Sequence, residues 1–83
     1  MAALKFEKGS DKWNMFMEYW RICQSYWIPE ESDEWWQEII NIVNEFSKKY
    51  GKDDLFVRGL CNSFMDGLKQ RFEEQRKTHE RRN

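Results

Sequence analysis

The sequence predicts an all-α protein, a small up-down-up three-helix bundle with a long third helix and an extended N-terminal arm, and three observations predict it. Apolar residues recur at helical spacing in three stretches, Trp13 to Trp27, Trp36 to Tyr50 and Val57 to Phe72. A residue suited to capping a helix precedes each of them, Ser10, Ser32 and Asp53. One proline and four glycines leave too few turn residues for an all-β fold. The connections are short, about 4–6 residues, which favours antiparallel neighbours.

Eighty-three residues, 40% hydrophobic and 35% charged, make one globular domain with a thin margin of stability. Residues 1–9 read as an extended or flexible arm, in which Phe6 can tuck against the core. Residues 10–72 form the three-helix domain, with helices at about 11–27, 33–50 and 54–78, and residues 73–83 are a charged, fraying helical tail.

Helix 1 begins at the Ser10 cap with Asp11 in its first turn. Trp13, Trp20 and Trp27 are seven residues apart and fall on one row, with Phe16 and Cys23 on the companion row, the pattern of a buried seam. Asn14, Glu18, Arg21 and Ser25 mark the outside. Met15 and Ile22 project between the polar rows, and Tyr19 and Tyr26 flank the seam, so the helix is apolar on more than the face a three-helix fold covers. Trp27-Ile28-Pro29 ends it, because proline pushes the preceding residue out of the helical region.

Helix 2 has Ser32 as cap and Asp33 and Glu34 where the helix dipole favours carboxylates. Trp36, Ile39, Ile40, Val43, Phe46 and Tyr50 form its core stripe, Lys48 and Lys49 suit its last turn, and Gly51 suits its C-terminal cap. Helix 3 follows, capped by Asp53, with Val57, Leu60, Cys61, Phe64, Leu68 and Phe72 as its core stripe. Beside that stripe lie Gly59, Ser63 and Gly67, each four apart. Two glycines inside a helix cost about 1 kcal/mol each relative to alanine, so the line reads either as a thin face admitting a close helix or indole, or as tolerated exposed glycine. After Phe72 the chain has no apolar residue.

Cys23 and Cys61 fall in apolar helical patterns without metal-site spacing, and read as two buried, reduced thiols. The first ten residues lack the apolar core of a secretory signal, and no run reaches the ~18 apolar residues of a membrane span, so a cytoplasmic protein is expected. Net charge is −1, but residues 30–38 carry five acids and no base, while residues 69–82 carry six bases and three acids. A negative end and a mildly positive end follow.

Catalysis has little support. His79, the sole histidine, stands among charged residues with nothing to orient a base, and the serines lack a nucleophile-elbow context. No glycine-rich loop suits phosphate, and Glu34 with Glu38 at i, i+4 lacks further metal ligands. No enzyme activity, cofactor, metal or small-molecule substrate is expected. In the tail, Lys69, Arg71, Arg76, Lys77, Arg81 and Arg82 alternate with Glu73, Glu74 and Glu80, which weakens any attraction for nucleic acid.

The better candidate is the acidic-aromatic corner, Trp35 and Trp36 with Glu30, Glu31, Asp33, Glu34 and Glu38. Either the acids compensate the helix dipole while both indoles pack inward, or Trp36 packs while Trp35 joins Met15, Ile22 and Tyr26 in a contact surface rimmed by carboxylates. The stretch Tyr26 to Trp36, YWIPEESDEWW, with the following QEIINIVNEF, resembles segments of short, uncharacterised helical proteins of Gram-positive prophages and mobile elements. That resemblance implies a small accessory protein, an inhibitor binding a host defence or regulatory machine. From the residues themselves the expectation is a non-enzymatic interaction module whose partner is another protein or a second copy of itself. Its expected contact residues are Met15, Tyr19, Ile22, Tyr26, Glu30, Glu31, Asp33, Glu34 and Trp35.

Overall fold

In the computed structural model the backbone of residues 4–81 and the side chains of residues 4–78 are described. The start of the arm, the end of the charged tail and the environment of His79 lie outside these residues. Three helices follow one another, α1 (Asp11–Ser25), α2 (Asp33–Tyr50) and α3 (Leu55–Arg81). No strand occurs among the described residues.

Side-chain oxygens set each start. The Ser10 hydroxyl accepts from the Trp13 N–H at 3.3 Å, and the Ser32 hydroxyl accepts from the Trp35 N–H at the same distance. At α3 the cap is Asp54, one residue later than expected, its carboxylate accepting from the N–H groups of Phe56 at 2.8 Å and Val57 at 3.3 Å. The two helix ends differ in kind. α1 stops at Ser25, with Tyr26 as its cap and Trp27 already outside the helix, because Pro29 forces the turn. α2 ends on Gly51, whose φ of 126° is open to glycine and strained for other residues.

The three axes run up, down and up. Near one end Met15 of α1 meets Phe46 of α2 and Val57 and Cys61 of α3. Towards the other end Ile39, Phe64 and Leu68 form a second cluster, flanked by Cys23, Tyr26, Trp35 and Trp36. Tyr19, Ile22 and Val43 touch both clusters and join them. An ion pair, Lys49 to Glu18 at 3.2 Å, ties the last turn of α2 to the middle of α1.

The face that α1 turns inward is the reverse of the one its tryptophans suggest. Met15 is buried, with 3% of its surface exposed, while Tyr19, Ile22 and Tyr26 pack half-buried on the same side. Trp13, Trp20 and Trp27 remain exposed by 37%, 60% and 51%. Both rows have near-heptad spacing, so spacing does not choose between them; size and polarity do. A flexible thioether fills the gap among Phe46, Val57 and Cys61, where an indole would force the helices apart. Tyrosine is accepted inward because its hydroxyl finds a partner: that of Tyr19 donates to the Leu60 carbonyl at 2.9 Å.

Two further expectations change. Ile40, counted into the α2 stripe, is 40% exposed, and Ile42 packs inward instead. The small-residue line of α3 admits no neighbouring helix: a Cβ at Gly59 would meet nothing within 4 Å, and one at Gly67 would meet only the guanidinium of Arg71, at 3.1 Å.

Candidate functional site

Inverting α1 leaves a face of aromatic surface in water. Trp13, Met17 and Trp20, spaced i, i+4 and i+7, share one side of the helix, and Trp27 extends that side into the turn. Phe16 continues it towards α3. Its ring stacks on Phe6 of the arm, with centroids 5.6 Å apart, and meets Phe56 edge-on at 6.0 Å. Phe56 itself is 56% exposed and Leu55 beside it more so.

Arg71 holds the far end of this face. Its guanidinium lies 3.8 Å from the centre of a Trp27 ring, and its Nε donates to the Trp27 carbonyl at 2.8 Å. Gly67, one turn earlier on α3, leaves the room for that guanidinium. A cation stacked on an indole and hydrogen-bonded to the same residue's backbone fixes a segment that would otherwise swing freely after α1. One terminal nitrogen of Arg71, Nη2, is buried without a hydrogen-bond partner, a cost carried by this clamp.

The acidic corner stands at the same end. Glu30, Glu31, Asp33 and Glu34 are all exposed, and none takes part in an ion pair among the described residues. Glu38 is engaged: the Tyr26 hydroxyl donates to its Oε1 at 2.6 Å, a bond to a carboxylate that raises the Tyr26 pKa. Glu38 and Glu34 therefore do not act as an equivalent pair. No group of three metal-ligating side chains occurs among the described residues. The gap among Tyr19, Ile22, Val43, Phe46, Cys61 and Phe64 is about 10 Å³, no more than one water fills.

Of the residues expected at a contact surface, Met15, Tyr19, Ile22 and Tyr26 belong to the packed side of α1 and form the core or its edge. Trp35 does too. Its ring packs 5.7 Å from Tyr26 and 5.0 Å from Trp36 and flanks the Ile39 cluster, so it is not the free indole at the corner. Only Glu30, Glu31, Asp33 and Glu34 stay on the surface as expected.

Sequence reasoning missed Met17, Phe56 and Arg71. Leu55 falls off the spacing of the α3 stripe, whereas Phe56 continues its four-residue row Leu60, Phe64, Leu68 and Phe72 and stays exposed only because it stands at the start of the helix, so spacing gave a signal for Leu55 and none for Phe56. Arg71 stands four residues after Gly67, so glycine one turn below a long cation was the available signal for the clamp. Among the described residues no helix is long and apolar enough to cross a membrane. In comparisons with known proteins, the chain matches no family model, no curated protein and no solved structure.

Proposed function

We propose that the protein is a non-enzymatic interaction module of the cytoplasm that binds another protein, or a second copy of itself, through the α1 face of Trp13, Met17, Trp20 and Trp27 with Phe56 beside it. The observation that carries this reading is the exposure of all three heptad-spaced indoles on a domain whose core is complete without them. Exposed apolar patches beyond a few hundred Å² mark contact sites, and tryptophan is the residue most enriched at their energetic centres. The test is Trp20→Glu, which leaves helical circular dichroism and the thermal transition unchanged and abolishes capture of the partner from the source organism's lysate, read by mass spectrometry. Capture that survives both Trp20→Glu and Trp13→Lys would sink the reading.

The free carboxylates support a second reading, an inhibitor from a phage or mobile element that binds a host defence or nucleic-acid-handling enzyme through its acidic surface. Glu30, Glu31, Asp33 and Glu34 form a compact anionic patch without internal counter-ions among the described residues. In that case reversal of all four to lysine removes binding while the helical signal persists, and Trp20→Glu does not. Retained binding in the reversed variant counts against it.

A further inference from the structure

Resting on the reading of the α1 face as an interaction surface, we propose that its occupant is a second copy of this chain, seated antiparallel about a two-fold axis at Trp20. Three observations on the face agree on that partner.

The first is its symmetry. Trp13 and Trp27 stand seven residues to either side of Trp20, the most exposed of the three indoles. A two-fold contact must be self-complementary, residues off the axis meeting one another in reciprocal pairs and a residue on it meeting its own copy. An axis at Trp20 does this: it stacks the two copies of Trp20 and turns Trp13 of each chain towards Trp27 of the other, which extends the row into the turn after α1.

The second is area. At the exposures of Trp13, Trp20, Trp27 and Phe56, aromatic side chains of this size leave on the order of 500 Å² in water. That is more than half of the ~800 Å² that each partner buries in a standard interface. Met17, 38% exposed on the same side of α1, adds to it.

The third is charge. Lys5, Lys8 and Lys12 lie before the row of indoles with Glu7 and Asp11 among them, a net charge of +1 from three bases and two acids, and Glu30, Glu31, Asp33 and Glu34 lie after it with no base. An antiparallel axis at Trp20 turns the start of α1, with Lys12 in its first turn and Lys8 just before it, towards the turn after α1 of the other copy, where the acidic corner begins. Antiparallel seating therefore brings amines to the unpaired carboxylates of the corner. A parallel pair would set the two acidic corners side by side, which like charges oppose.

Sedimentation equilibrium of the full chain tests the proposal. The expected mass is twice the 10.3 kDa of one chain, falling to the single mass in Trp20→Glu with helical circular dichroism unchanged. Trp13→Lys alone and Trp27→Glu alone each weaken the dimer by about tenfold or more, a loss near 1.4 kcal/mol. Combining them restores affinity, because across an antiparallel axis each introduced amine meets an introduced carboxylate. A double variant weaker than either single one overturns the antiparallel seating. A chain that stays monomeric at millimolar concentration overturns self-association. If Trp20→Glu then still abolishes capture of another protein, the interaction reading stands without the dimer; if it abolishes nothing, both fall.

Discussion

Tyr19 shows how single side chains hold this domain together. Its ring packs at 5.9 Å from that of Phe46 and 6.4 Å from that of Phe64, and its hydroxyl bonds to a carbonyl of α3. Burial, with a smaller contribution from the neighbouring Cys23, pushes the phenol up to about 12. Burial likewise raises the Cys23 and Cys61 thiols above their ordinary range. All of these shifts favour the protonated form in the folded state. Their contribution is complete below the unfolded thiol and phenol values and is lost as pH rises through the folded ones. The urea midpoint is therefore expected to be flat between about pH 6 and 8 and to fall above about pH 9. Tyr19→Phe costs about 1 kcal/mol at neutral pH through the lost hydrogen bond, and flattens the fall between about pH 10 and 12. Truncations separate the two sides of α1: Met15→Ala costs roughly 2–5 kcal/mol in urea unfolding. Trp20→Ala, at an exposed site, stays within about 0.5 kcal/mol.

At the scale of elements, stability is concentrated at the starts of helices and in the choice of face. Asp54 satisfies two N–H groups of α3, so Asp54→Ala lowers stability by about 1 kcal/mol, whereas Asp53→Ala, outside the cap, changes it by no more than a few tenths. Gly59 meets nothing, and alanine there is expected to raise stability by about 0.5–1 kcal/mol, read as a higher melting temperature. The extents of α2 and the core stripe of α3 were legible in the sequence because caps, dipole charges and apolar spacing agree there. α1 was legible as a helix but not in its orientation. Trp13, Trp20 and Trp27 form one heptad row, and Met15 with Ile22 forms another, so periodicity alone is satisfied either way. What decides is three-dimensional: the width of the gap between helices and the reach of a tyrosine hydroxyl to a particular carbonyl. The candidate surface inherited the same ambiguity: its Met15, Tyr19, Ile22 and Tyr26 face the core, while Glu30, Glu31, Asp33 and Glu34 are exposed, as charge alone requires. Arg71 stayed hidden because its function needs Trp27 beside it, and the two are 44 residues apart.

The whole molecule is elongated, with extents of 56 × 27 × 21 Å, because α3 outruns the other two helices. Its last core contact is Phe72, whose ring meets Trp36 edge-on at 5.6 Å. Beyond it the described side chains are exposed, so removing residues 77–83 is expected to leave the unfolding free energy within about 0.5 kcal/mol of the full chain, by urea titration. The body that remains carries its five tryptophans in two settings, three facing water on or just beyond α1 and two half-buried at the start of α2. The protein's own fluorescence is thereby divided into two channels. Trp35 and Trp36 report whether the chain is folded, and their emission moves to the red when it unfolds. In the single chain Trp13, Trp20 and Trp27 are expected to emit from water and to be quenched by iodide, and to move to the blue when a second copy or another partner covers them. Occupancy of the α1 face is readable by light alone, with no label attached.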